Sequence, residues 1–259
     1  YDVVTGVTSY LRADLDNAQD SNLSHLSSFN KDGFTLGADT YQNTNSATYV
    51  AWCWKAGGTA VTNNDGSIAS QVSVNEEAGL SIVTYTGTGS NTNIGHGLGG
   101  TPDIVMTKSR SATGSWAVLD RIGNSTAEYG FFLNDNGGYS SYQGGTYWND
   151  TLPTSTVFRV SSNAATNASG VTYVAYCWRS IPGYSKIGKY TGNASTDGTY
   201  VHLGFRPAFV LLKRTSASAS WVLHDYKRSG SNPDNDYLHP DNNQSESDGS
   251  SGTLDILSN

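Results

Sequence analysis

The sequence predicts an all-β protein made of tandem antiparallel β-sandwich repeats, either jelly-roll-like or immunoglobulin-like. Three observations predict this class: short apolar runs between turn residues, almost no helical periodicity, and internal repetition. Tyrosine, tryptophan and β-branched residues suit a pleated surface, and the 29 glycines suit tight turns. Without crossover helices, strands of this kind are expected to pair antiparallel.

The repetition has two offsets. The segment TYVAWCW at residues 48–54 returns as TYVAYCW at residues 172–178, an offset of 124. The segment YTG at residues 85–87 returns at residues 190–192, an offset of 105. The second offset also relates Gly99, Pro102, Lys108, Ser115, Trp116 and Asp120 to Gly204, Pro207, Lys213, Ser220, Trp221 and Asp225. The difference predicts an insertion in the first copy, at residues 56–79.

The strand candidates follow in chain order. They are residues 48–54, 80–86, 104–108, 116–119, 157–160, 171–178, 186–190, 209–213 and 221–224. Residues 171–178 are apolar on both faces, which favours a central strand covered on both sides. Pro102 and Pro207 each precede a strand, where a missing N–H is tolerated. Residues 11–26 allow one short helix at most, and residues 57–73 and 228–252 are predicted loops.

These patterns divide the chain into the end of a first repeat (1–55), an insertion or linker (56–79), a complete central repeat (80–183) and the beginning of a third (184–259). Residues 10–14 (YLRAD) resemble residues 237–241 (YLHPD), which supports a third copy. We expect this sequence to be a window of a longer polypeptide. Residues outside it, or a strand from an adjacent chain, would then complete the third copy and cover its open sheet edge.

The two cysteines occupy equivalent positions in successive copies. A disulfide requires Cα atoms within about 7 Å, whereas equivalent sites in two copies lie about one domain apart. Cys53 and Cys177 are therefore predicted to be unbonded, buried residues on central strands.

Charge and hydropathy exclude two classes of partner. Acidic residues number 22 against 15 basic ones, giving a net charge of −7, and no cluster of Lys and Arg is present. Such a surface repels phosphate backbones, so we expect no nucleic-acid binding. No apolar run reaches the length of a membrane span, so we expect no membrane insertion.

Several phrases of the sequence resemble a repeated domain of long virion proteins in tailed bacteriophages, particularly those of marine bacteria. This domain is described as tail-fibre-like or laminin-G-like. The phrases are SFNKDGFTLG (28–37), YVAWCWKAGG (49–58), IGHGLG with TP (94–102), WND (148–150) and GFRPAFVL (204–211). The resemblance implies a structural or adhesive virion component, without a cofactor or catalytic residues.

No residue pattern indicates an enzyme. The four glutamates (Glu76, Glu77, Glu128 and Glu246) do not form the paired-carboxylate pattern of a glycosidase. The five histidines show no metal-ligand spacing and are predicted to be surface residues, and acidic clusters lack the complete calcium-loop pattern. We therefore predict no catalytic residues, no metal site and no cofactor.

One aromatic stretch is a candidate glycan site. Residues 137–148 interleave aromatic rings with Gly, Ser and Gln, as antibody-combining loops do. The candidate residues are Tyr139, Tyr142, Tyr147 and Trp148. The alternative is that Tyr147 and Trp148 pack into their own sandwich.

The function predicted from these features is a non-enzymatic virion structural or adhesion protein. It would be a repeat-built phage fibre, spike or capsid appendage that presents a host-binding surface. The expected partners are copies of itself, other virion proteins and host surface glycans, and the expected location is the virion surface or the extracellular space. The alternatives are a bacterial extracellular filament or surface adhesin, and a glycan-binding or glycan-cleaving module.

Overall fold

The computed structural model describes residues 1–140, 144–248 and 254–257. These residues form short strands, two four-residue α-helices and one π-helical turn, so the predicted all-β class is confirmed. The strands are β1 (Ser9–Tyr10), β2 (Asp20–Ser21), β3 (Leu26–Phe29), β4 (Phe34–Leu36), β5 (Val61–Asn63), β6 (Ser70–Asn75), β7 (Leu80–Thr86), β8 (Thr92–Gly95), β9 (Ile104–Ser109), β10 (Ala117–Asp120), β11 (Phe131–Phe132), β12 (Val157–Val160), β13 (Thr172–Trp178), β14 (Phe209–Leu212), β15 (Val222–Asp225), β16 (Asp236–Leu238) and β17 (Ser247–Asp248). The helical pieces are the π-helical turn Gly144–Trp148, α1 (Ala164–Asn167) and α2 (Tyr226–Ser229).

The largest sheet has seven antiparallel strands in the order β11-β10-β9-β13-β7-β6-β5. Strand β13 lies near its centre, where Tyr173 pairs with Tyr85 on one side and Ser109 on the other. Alternate residues of β13 face opposite sides of the sheet. Both faces of β13 are apolar, and each face is covered by a separate layer, as the sequence pattern predicted.

One face of this sheet carries the main hydrophobic core. A second layer made of the β8–β12 pair, the π-helical turn and α1 covers it. Phe158 and Trp148 reach into this core and are 0% and 1% exposed. The ring of Tyr85 stacks on Tyr173, with centroids 5.2 Å apart. The two layers therefore form one β-sandwich around aromatic and β-branched residues.

The opposite face carries a second cluster, which we term the shared core because its residues come from three parts of the chain. Residues 1–55 contribute Leu11 and Ala13, and residues 184–259 contribute Leu211 and Trp221. The seven-stranded sheet and the residues that flank its strands supply the remaining members, which are Ile104, Met106, Trp116, Val118, Phe131, Leu133, Tyr139, Tyr176 and Trp178. The terminal parts of the chain thus pack on the outer face of the central sheet.

Residues 184–259 form a separate four-stranded sheet in the order β14-β15-β16-β17. In β14 and β15, Leu211 pairs with Leu223, and in β9 and β10, Met106 pairs with Val118. Each residue in the first pair lies 105 positions after its counterpart in the second. The two strand pairs that correspond at the sequence offset of 105 therefore have the same register.

Three local expectations were wrong. Residues 57–73, predicted as a loop, contain β5 and the start of β6, so the stretch 56–79 supplies two strands to the central sheet. Residues 228–252 contain β16 and β17, where the alternation of apolar and polar residues is too short to predict a strand. Residues 186–190 contain no strand, and none of the described strands pairs with them. Residues 11–26, for which the pattern allowed one short helix at most, contain none.

A fourth expectation, the strand at residues 48–54, was also wrong. This segment shares six of seven residues with β13, yet it is irregular, with Tyr49 53% and Trp54 47% exposed. Both cysteines are free, as predicted, but Cys53 is exposed and only Cys177 is buried. The physical difference lies in the neighbours, because β13 is flanked by β7 and β9, whereas none of the strands in the described part of the chain pairs with residues 48–54.

Candidate functional site

The predicted glycan-binding residues do not form one exposed platform. Trp148 lies in the main core at 1% exposure, so both ring faces are covered by protein and its assignment to a glycan surface was wrong. The Tyr147 ring packs edge-on against Phe132. Tyr139 stacks on Phe131 and donates its hydroxyl to Asp120 Oδ2 at 2.6 Å, and burial raises its pKa. Tyr142 lies outside the described residues.

The prediction that the histidines are surface residues was also wrong for three of them. His25, His96 and His224 are 3%, 0% and 3% exposed. His96 Nδ1 accepts the amide N–H of Leu98, and burial lowers the pKa of its imidazole. No group of three or more His, Cys, Asp or Glu side chains within residues 1–140, 144–248 and 254–257 could hold a metal ion. In that same part of the chain, no helix is long and apolar enough to cross a membrane.

The feature that recurs in this structure is a β-hairpin with the same register at three places. Tyr10 pairs with Asp20, Gly130 with Ser140, and Tyr237 with Ser247. In each case, ten positions separate the paired residues. We term these residues 9–21, 130–140 and 236–248 receiving hairpins one, two and three.

A second kind of hairpin docks on two of them. These donor hairpins are β9–β10 and β14–β15. In the first, Lys108 lies in β9 and Trp116 lies just before β10. In the second, Lys213 directly follows β14 and Trp221 lies just before β15. Lysine and tryptophan are eight positions apart in both. Trp116 and Trp221 are 7% and 3% exposed, so both rings are buried where the hairpins meet.

The first joint connects donor hairpin β9–β10 to receiving hairpin one. The indole Nε1 of Trp116 donates to the Arg12 carbonyl at 2.7 Å. The amide of Gly114 donates to the Asp16 carbonyl at 2.7 Å, and Lys108 Nζ approaches the same carbonyl at 3.3 Å. The backbone is also joined in the other direction, since the Gln19 amide donates to the Arg110 carbonyl at 2.8 Å.

The second joint connects donor hairpin β14–β15 to receiving hairpin two. Trp221 Nε1 donates to the Phe132 carbonyl at 2.9 Å. The Ala219 amide and Lys213 Nζ donate to the Asn136 carbonyl at 2.8 and 2.9 Å. The Tyr139 amide donates to the Thr215 carbonyl at 2.9 Å.

These four contacts are the same in both joints. Every donor-hairpin residue moves by 105 positions between joints, and every receiving-hairpin residue moves by 120. The apolar contacts follow the same rule, because Leu11 and Ala13 accompany Trp116 as Phe131 and Leu133 accompany Trp221. The structure therefore contains one docking geometry, built twice from different residues.

Burial dominates the electrostatics of both joints. It lowers the pKa of the Lys108 ammonium to about 8, while the charge of Asp16 acts in the opposite direction. The ammonium retains hydrogen bonds to the carbonyls of Ser109 and Asp16, which satisfy a cation removed from water. Burial also lowers the pKa of Lys213, whose Nζ lies 5.8 Å from the Trp221 ring centroid.

Sequence reasoning identified half of each joint. The matched Lys and Trp residues were visible at the offset of 105. The correspondence between receiving hairpins one and two was not visible, because residues 10–14 (YLRAD) and 130–134 (GFFLN) have no residue in common at matching positions. Their role depends on backbone carbonyls, and side-chain identity carries no record of those acceptors.

Comparison with known proteins identifies a family. The whole chain, residues 1–259, matches the family described as a domain of unknown function, DUF7483, and the chain belongs to that family. No curated protein and no solved structure matches it.

Proposed function

We propose that this chain is a non-enzymatic structural and adhesive component of an extracellular assembly. Its repeats are joined by a fixed docking geometry and present a host-binding surface. We further propose that this assembly is a bacteriophage virion and that the chain belongs to a fibre, spike or capsid appendage.

The observation that supports a structural role is the joint built twice. Each joint contains a lysine and a buried tryptophan, and four hydrogen bonds connect each pair of hairpins at matching positions. Duplicated docking of this kind holds neighbouring segments in a set orientation, which a scaffold requires. A catalytic centre would not need the same contact twice.

The surface supports the adhesive part of the proposal. Charged residues are only 14% of the chain and aromatic residues 11%. Tyr41, Tyr184, Tyr190 and Tyr200 are more than half exposed. Exposed tyrosines among small polar residues provide flat contact area and hydrogen-bonding hydroxyls, as at antibody-combining sites.

The experiment that tests the virion role is immunogold electron microscopy. Antibodies raised against the purified chain are applied to particles and cells from a culture that produces the protein. We expect gold label on an appendage of the phage particle. Label confined to the bacterial cell wall would overturn the virion role and favour a bacterial surface adhesin instead.

The experiment that tests adhesion is binding of the fluorescently labelled chain to candidate host cells. We expect saturable binding that soluble surface glycan from the same host reduces. An albumin labelled with the same dye is the control for non-specific adsorption. Equal binding of both proteins to host and non-host cells would contradict the adhesive role.

A further inference from the structure

Three aspartates in this chain end a strand or precede a turn in the same way. Asp2 accepts the amides of Val4 and Thr5 through its side chain. Asp120 accepts the amides of Ile122 and Gly123, and Asp225 those of Lys227 and Arg228. In all three, the acceptor binds the amides two and three positions later. Each aspartate also precedes a receiving hairpin, and the paired residues Tyr10, Gly130 and Tyr237 follow it by 8, 10 and 12 positions respectively.

We term residues 1–55, 56–183 and 184–259 the N-terminal, central and C-terminal segments. Two of these aspartates also accept a hydrogen bond from an aromatic side chain in another segment. The Tyr176 hydroxyl of β13 donates to Asp2 Oδ2 at 2.7 Å. Trp52 Nε1 donates to Asp225 Oδ2 at 3.1 Å. Trp52 is the residue that corresponds to Tyr176 at the offset of 124. The central segment therefore contacts the N-terminal segment as the N-terminal segment contacts the C-terminal one.

Further contacts reinforce the interface between residues 48–54 and the C-terminal sheet. The rings of Trp52 and Trp54 pack edge-on against Phe209, at 6.2 and 5.3 Å between centroids. The guanidinium of Arg228 lies 5.9 Å from the centroid of Trp52 and bonds Asp225 at 2.7 Å. Burial alone would raise the pKa of Asp225, but the hydrogen bonds from Arg228 and Trp52 hold it below its ordinary value. The acceptor is thus an ionised carboxylate matched to two donors.

From these contacts we infer that the three segments close into a ring. The central segment docks on the N-terminal one, the C-terminal segment docks on the central one, and residues 48–54 of the N-terminal segment dock on the C-terminal one at Asp225. When each segment docks on the next through two different surfaces, the rotation between neighbours decides the outcome. The segments form a ring if the rotation brings the last segment back to the first, and an open array if it does not. The contact from Trp52 to Asp225 closes the ring after three segments. The shared core, with residues from all three segments, lies where they meet.

This inference depends on the repeat relation that supports the proposed function, but not on a virion location. It adds that a single chain forms a closed body with three related sides. Failure of the immunogold or cell-binding experiments would leave it intact.

Small-angle X-ray scattering of the full chain tests closure directly. A closed body of this length has a radius of gyration of about 18 Å, whereas three bodies in a line would give about 25 Å. We expect the lower value at several concentrations. A value near the higher one, for a chain that is monomeric by light scattering, would overturn the ring.

Hydrogen exchange tests whether the contact at Asp225 is the counterpart of the one at Asp2. In W52F, the side chain remains aromatic but loses the indole N–H, so exchange at the Lys227 and Arg228 amides should accelerate about tenfold. In Y176F, the Val4 and Thr5 amides should respond similarly. The exposed substitution Y190F is the control and should change neither pair. Unchanged exchange at Lys227 and Arg228 in W52F would show that residues 48–54 rest on the C-terminal sheet without docking there.

Discussion

Replacing Trp221 with phenylalanine tests the second joint at its most buried donor. The indole is 3% exposed and donates to the Phe132 carbonyl at 2.9 Å. Phenylalanine keeps an aromatic ring against Phe131, whose centroid lies 5.1 Å away, but it leaves the half-buried Phe132 without this donor to its carbonyl. A buried polar group that loses its partner costs about 1–3 kcal/mol, so we expect a loss of that size for local opening of the joint.

The assay is native-state hydrogen exchange at two backbone amides that report the two joints separately. Ala219 donates across the second joint, and Gly114 donates across the first. Since about 1.4 kcal/mol corresponds to a factor of ten, W221F should accelerate exchange at Ala219 by about 5- to 140-fold. Exchange at Gly114 should change little, because distant sites contribute independently.

The reciprocal variant provides the matched control. W116F removes the donor to the Arg12 carbonyl, so it should accelerate exchange at Gly114 by a similar factor and leave Ala219 unchanged. The reasoning is refuted if W221F leaves Ala219 unchanged. It is also refuted if each variant accelerates both amides equally, because the joints would then open only with the whole protein.

Three further predictions concern stability and reactivity. The pKa of Lys108 is about 8 in the folded chain and 10.5 in the unfolded chain, so between these pH values the unfolded chain binds more protons than the folded one. The free energy of unfolding, measured by urea titration, should therefore rise from pH 8 to pH 10.5, and K108M should reduce this rise. A thiol reagent should modify Cys53 at once and Cys177 only after unfolding, since Cys177 is fully buried and burial raises the pKa of its thiol; two rapidly reacting thiols in the native protein would contradict this. Asn167 is 0% exposed, and its side-chain amide donates to the carbonyls of Ser90 and Ser161. N167A should therefore lower the free energy of unfolding by about 2–4 kcal/mol, whereas a loss below about 0.5 kcal/mol would mean that water replaces the amide.

The sequence was most informative where one strand buries both faces. The predicted bounds of β7 and β12 match the structure, and β13 differs by one residue. Long apolar runs such as β13 need no help from distant residues to be recognised. The shared core was partly foreseen as well, because the second apolar face of β13 required a covering layer.

The segment at residues 48–54 marks the limit of such reasoning. It has nearly the same sequence as β13, yet only β13 is a strand. A strand requires partners for its N–H and C=O groups, and those of β13 come from β7 and β9, which are distant in sequence. Intrinsic preference therefore fixed which residues were suited to a sheet, while neighbouring strands decided which of them joined one.

The receiving-hairpin acceptors that match in the two joints are main-chain carbonyls, those of Arg12 and Asp16 in one and Phe132 and Asn136 in the other. Every amino acid carries the same carbonyl, so substitutions at positions of a receiving hairpin that lie outside the shared core leave these acceptors in place. Mutations can accumulate there without loss of assembly, provided that the backbone course and the donor lysine and tryptophan persist. The exposed residues of the receiving hairpins can therefore diversify while the contacts that join the parts of the chain are kept.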